Sequence, residues 1–95
     1  MVEYVKAGET KLPIRVSYKV LKKVSTLSDE SEGEYARIEA LLFYSLENGA
    51  KAEGTPFTLT KEGLEDLIDK YPELIAQFTE VMNKEVPAIT GKMSG

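Results

Sequence analysis

The chain contains no histidine and no cysteine. Those two absences remove the usual ligand sets for zinc, haem and iron–sulfur clusters. They also remove every nucleophile–histidine triad and any disulfide framework. Catalysis would have to run on carboxylates, lysines and hydroxyls alone, so the expectation is a protein that is not an enzyme and uses no cofactor or metal. Long apolar runs are missing as well. Nothing approaches the ~20 consecutive apolar residues that a membrane-crossing helix needs, and no membrane partner is expected. The opening MVEYVKAGE lacks the basic-then-apolar order of a secretory signal, which together with the missing cysteines predicts an intracellular location.

What is present fits one domain. The 95 residues suffice for a single core, and an apolar content of 42% is ordinary for a globular chain. The net charge of −4 is unevenly spread. Residues 1–27 carry six basic and two acidic residues, whereas residues 28–95 carry six basic and fourteen acidic ones, giving +4 and −8. Such polarity can steer a partner or let copies associate head to tail. The plainer reading is two solvated faces of opposite sign.

The rest is organised around Glu34 to Gly49, EYARIEALLFYSLENG. Ser31 and Glu34 have the spacing of a capping box, and Asn48-Gly49 reads as a left-handed stop. Tyr35, Ile38, Leu41, Leu42 and Leu46 recur at three and four residues on one helical face. Phe43 and Tyr44 widen that face until little of the circumference is polar, so the helix needs cover on more than one side. Either the chain wraps it or a partner does, and the candidate partner-binding residues are Leu42, Phe43 and Tyr44.

Before this stretch, Val2, Tyr4 and Val5 suggest a strand, with a turn at Ala7-Gly8-Glu9. Leu12, Ile14, Val16 and Tyr18 alternate with polar residues or Pro13, the period of a half-buried strand, with Pro13 marking an edge or a strand start. Val20, Leu21, Val24 and Leu27 then take helical spacing behind a Ser17 cap, leaving Lys19, Lys22 and Lys23 outside. Ser25 to Gly33 is a polar, acidic loop. After a second loop, Ala50 to Phe57, Thr60 caps a helix whose stripe is Leu64, Leu67, Ile68 and Tyr71. Pro72 ends it and suits the first turn of a last helix with Leu74, Ile75, Phe78, Val81 and Met82 inward. Pro87 is expected to stop that helix. The predicted fold is α+β, a β-hairpin packed on a cluster of about four α-helices, with a domain over 1–87 and a flexible tail over 88–95.

Motifs that could carry chemistry are weak. Counted from Asp29, a calcium loop would need glycine at Glu34 and a bidentate acid at Ala40, and it fails at both. Glu62, Glu65, Asp66 and Asp69 read as the solvated face of an amphipathic helix rather than an acid–base pair. Gly91-Lys92 has no strand before it and is no phosphate loop. Lys19, Lys22 and Lys23 could touch phosphates. This keeps a small nucleic-acid-binding regulator as the alternative, though only Tyr18 is interleaved with them and the whole chain is acidic. The aromatic group Tyr35, Phe43, Tyr44, Phe57 and Phe78 is core by default.

The order of features in ALLFYSLENGAKAEGTPFTLTKEGLEDLIDKYPELIAQFTEVM resembles the tail assembly chaperones of long-tailed bacteriophages and prophages. The resemblance begins with an alternating strand running into a short helix, IRVSYKVLKKV. It continues through the aromatic-rich helix ending near Asn48-Gly49-Ala50, then a G-x-P-F loop from Gly54 to Phe57. An L-T-x-E helix start from Leu59 to Glu62, an acidic L-x-D-L-I-D helix and a Pro72-Glu73-Leu74 step complete it. It spans Leu12 to Val86 and departs in lacking tryptophan between Tyr35 and Leu46 and in its acidic Thr26–Gly33 loop. What the resemblance implies is a chaperone that binds the tape-measure protein, a long helical chain, and keeps it soluble until the tail tube assembles. It further implies work in the host bacterial cytoplasm, absence from the mature virion, self-association, and the tail-tube protein as a further partner.

Overall fold

The computed structural model describes residues 2–27 and 33–94. Strands β1 (Glu3–Ala7) and β2 (Thr10–Ile14) pair antiparallel, and helices α1 (Tyr18–Leu27), α2 (Gly33–Glu53), α3 (Lys61–Lys70) and α4 (Glu73–Ser94) follow. This is the α+β, mainly helical architecture that the sequence periods predict. Ser31 of the expected capping box lies outside the described residues.

The hairpin register runs from Glu3 opposite Ile14 to Ala7 opposite Thr10, which leaves Gly8 and Glu9 as a two-residue loop. Gly8 has φ 66°, and among the described residues only glycines take positive φ. A positive φ at the first loop position alone is the type II′ pattern, whose twist matches that of the strands. Val5, Ala7 and Ile14 face the helices and are buried, while Lys6 and Lys11 stand on the solvent side. The expected strand through Tyr18 ends early. The Arg15 N–H turns to the Ser45 carbonyl of α2 at 3.0 Å, which takes the chain off the hairpin. Val16 remains buried, and Ser17 caps α1 as predicted by accepting from the Val20 N–H at 3.4 Å.

Helix α2 is longer than its sequence signals suggest. Gly49 is helical and serves a different purpose from the left-handed stop read at Asn48-Gly49. A Cβ there would lie 2.4 Å from the Pro13 carbonyl oxygen and 2.7 Å from the Ile14 Cα, so only glycine lets β2 cross α2 this closely. The stop comes at Gly54, with φ 73°. The Gly54 N–H bonds the Lys51 carbonyl and the Thr55 N–H bonds that of Ala50, at 3.2 and 2.9 Å, which together make a Schellman motif.

Helix α3 begins as predicted, with the Thr60 hydroxyl accepting from the Gly63 N–H at 3.0 Å. Helix α4 departs from expectation because it continues through Pro87 to Ser94. Proline in a helix removes one N–H and crowds the carbonyl four residues back. Pro87 is exposed, so water can satisfy the carbonyl that loses its donor. Two side-chain contacts fasten α4 to the hairpin. The Gln77 carboxamide accepts from the Lys6 N–H at 2.8 Å and donates to the Lys6 carbonyl at 2.9 Å, and Lys84 pairs with Glu3 at 2.7 Å. Leu42, Leu46, Leu64, Leu74 and Phe78 close over Val5 and Ile14 to form the core. Ser45 is fully buried among them, and its hydroxyl has no partner in hydrogen-bond geometry. Among the described residues, no helix is long and apolar enough to cross a membrane.

Candidate partner-binding surface

The three residues singled out on α2 do not share one environment. Successive helical positions turn by about 100°, so neighbours in the run cannot all face the same way. Leu42 points at the core and has 0% of its surface exposed, so it cannot contact a partner in the folded chain. This corrects the expectation for Leu42. Phe43 and Tyr44 are half-buried on the outer side. Their rings meet edge to face at 5.4 Å, and Phe43 meets Phe57 in the same manner at 5.4 Å. Two lysines flank this aromatic row. The Lys23 ammonium lies 4.3 Å from the Tyr44 ring centre, and that of Lys61 lies 5.8 Å from Tyr44 and 6.0 Å from Phe43. Such contacts are worth roughly 0.5–1 kcal/mol at exposed sites. The chain therefore covers one side of α2 with its core and leaves the other half-covered.

Phe57 also lines a cleft of about 430 Å³ between β2, the end of α2 and the start of α3. Its apolar walls come from Leu12, Leu46, Leu59 and Leu67, with Thr55, Thr58 and Thr60 along the connecting loop. The helical stripes place both Phe78 and Leu67 in the core; Phe78 is buried, whereas Leu67 is half-buried, packing against the core while also lining this cleft. The sequence signal for the cleft is the Gly- and Pro-punctuated loop before Thr60, a stretch with no apolar period to mark it.

A second cleft, of about 310 Å³, opens where α2, α3 and α4 meet. Ile38, Ile68 and Ile75 line it together with Glu39, Glu65 and Asp69. Glu65 and Asp69 are exposed, as expected for the solvated face of α3, but the fold brings Glu39 of α2 to join them. Partial burial, and then the neighbouring Glu65 charge, raise the Glu39 carboxyl above its ordinary range, while Lys61 pulls it back. Among the described residues, no group of three or more acids is placed to hold a metal ion.

The basic residues Lys19 and Lys22 are exposed on α1, and between them and Arg15 stands Tyr18, with 50% of its surface exposed. Compared with known protein families, curated proteins and solved structures, the chain matches no family model, no curated protein and no solved structure.

Proposed function

We propose that this chain is a tail assembly chaperone of a long-tailed bacteriophage or prophage, a non-enzymatic protein that binds the tape-measure protein and keeps it soluble while tail-tube subunits assemble around it. The ordered motifs from Leu12 to Val86 support this reading. The observation that carries it is one apolar surface running from Tyr44 through Phe43 and Phe57 into the cleft walled by Leu12, Leu46, Leu59 and Leu67. A helical client presents apolar side chains at every third or fourth residue, and a row of half-covered rings beside a cleft is a surface that can mask such a stripe. Masking withdraws apolar area from water, at roughly 25 cal/mol per Å², and so removes the drive for the client to aggregate. The chain would act in the host bacterial cytoplasm, leave before the virion matures, and meet the tail-tube protein as a second partner.

The test is co-expression and co-purification with a tape-measure protein of a long-tailed phage, a long and largely helical chain. Tyr44→Asp is the main variant, because Tyr44 contributes little to the core and Lys23 and Lys61 can accept the new charge. Phe57→Asp probes the cleft, and thermal melts accompany both. Folded variants that lose the client are the expected result, since an apolar interface would have to desolvate the carboxylate. Folded variants that keep the client would refute this surface. A salt-dependent shift of DNA mobility by the wild type would favour the nucleic-acid-binding alternative through Lys19, Lys22 and Lys23.

A further inference from the structure

The cleft between α2, α3 and α4 has an apolar floor and an acidic rim, and the same chain carries a patch of the opposite kind. Ile38, Ile68 and Ile75 each come from a different helix, and each remains half-buried after folding. Glu39, Glu65 and Asp69 surround them with negative charge, and the Glu39 carboxyl is raised first by its partial burial and then by the neighbouring Glu65 charge. Among the described residues, Tyr18 of α1 is one of two large apolar side chains that are exposed. Arg15 precedes it, Lys19 follows it, and Lys22 lies one helical turn on, all exposed. The other exposed tyrosine, Tyr4, bonds the Glu53 carboxylate through its hydroxyl, so its polar end is already engaged within the chain.

We infer that Tyr18 of one copy, with Arg15, Lys19 and Lys22, docks into the Ile38–Ile68–Ile75 cleft of a second copy. The ring would cover the isoleucines while the basic groups face Glu39, Glu65 and Asp69. The cleft of about 310 Å³ has room for one aromatic side chain. Each copy bears both patches, in keeping with the +4 of residues 1–27 and the −8 of residues 28–95. The two patches come from different elements, so the contact joins unlike surfaces. It closes into a two-fold dimer if both contacts can form together, and otherwise it propagates head to tail. An interface this small and charged is weak and salt-sensitive. It does not depend on the proposed function and needs no client.

The experiment is sedimentation velocity on the purified full chain from about 1 μM to about 1 mM, at low and high salt. One variant carries Lys19→Glu with Lys22→Glu, and another carries Glu65→Lys with Asp69→Lys. All four positions are exposed, and thermal melts verify that each variant folds. The wild type is expected to associate with rising concentration, and each variant alone should associate about tenfold more weakly. Mixing the two should restore association, because the acidic patch of the first then meets the basic cleft of the second. A wild type that stays monomeric throughout overturns the inference. So do variants that associate like the wild type, or a mixture that fails to recover. Since no client is present, none of these results bears on tape-measure binding.

Discussion

Gly49 offers a demanding test of how this fold is held together. In an ordinary helix interior, alanine is favoured over glycine by about 1 kcal/mol. Here the added Cβ would stand 2.4 Å from the Pro13 carbonyl oxygen and 2.5 Å from its carbon, where ordinary contact begins near 3.4 Å. Both obstacles are backbone and cannot swing aside. Helix α2 would have to withdraw from β2 by roughly 1 Å, which separates Leu42 and Leu46 from Ile14 and forfeits a quarter to a half of each affected dispersion contact. Overpacking of this kind costs about 1–3 kcal/mol or more, and because the obstacle is β2 backbone the upper part of that range applies. After the helix-propensity gain is subtracted, Gly49→Ala should lose about 2 kcal/mol. For a domain of this size that corresponds to a fall in Tm of about 8–16 °C. Urea titration followed by far-UV circular dichroism would report it as a lower midpoint with an unchanged slope. Gly54→Ala is the matched control. Its Cβ meets nothing within 4 Å, so only the left-handed backbone at φ 73° is strained, at about 1–2 kcal/mol. Asparagine tolerates that backbone and should recover part of the loss at Gly54, yet make matters worse at Gly49. A Gly49→Ala protein as stable as the wild type would refute the steric argument.

Two further outcomes follow from burial and charge. Phe78→Ala should cost about 3–5 kcal/mol, the range for a large buried ring, whereas Leu67→Ala, half-buried at a cleft wall, should cost less than about 2 kcal/mol; equal losses in urea titration would contradict the assignment of Leu67 to a surface. The raised Glu39 carboxyl binds its proton more tightly in the folded chain than in the unfolded one. Stability is therefore expected to fall as pH rises through the interval between the unfolded and folded values. Glu39→Gln should raise Tm at neutral pH and make no difference once the pH is below the unfolded value. A gain that persists there would point to packing rather than charge.

Much of the architecture was legible because it is written locally. Ser17 and Thr60 cap the helices they were expected to cap, and Gly8 makes the turn that its position between two strands implies. The apolar stripes of α3 and α4 supply Leu64, Leu74 and Phe78 to the core. What escaped depends on contacts between distant segments. A glycine after asparagine reads as a helix stop, and nothing near Gly49 in sequence reveals that Pro13 presses against it. Val16 continues the strand alternation, yet the Arg15 N–H is claimed by α2. Pro87 reads as a terminator, but an exposed position lets the helix continue. The surface was legible only in part. The run from Leu41 to Tyr44 announced too much apolar circumference, but only tertiary packing divides it into a buried Leu42 and a half-covered Phe43 and Tyr44. The acidic cleft draws its six lining residues from three helices and has no single stretch to betray it.

The Gln77 clasp on β1 has a consequence for what this protein can recognise. A two-stranded sheet is all edge, and open edges invite a third strand from a client, a copy or an unfolded chain. On β1 the outward N–H and carbonyl of Lys6 are both occupied by one carboxamide, as a peptide group of an added strand would occupy them. On β2, Pro13 has no N–H to offer, and α2 lies against its carbonyl at Gly49. Backbone pairing is thus closed to newcomers on both sides at the middle of the hairpin. A partner has to be read through side chains, by shape and charge, and that form of contact can be released without pulling a strand from a sheet. For a chaperone of the kind proposed, a hairpin that cannot serve as a template for aggregating segments would let a client be held and then released.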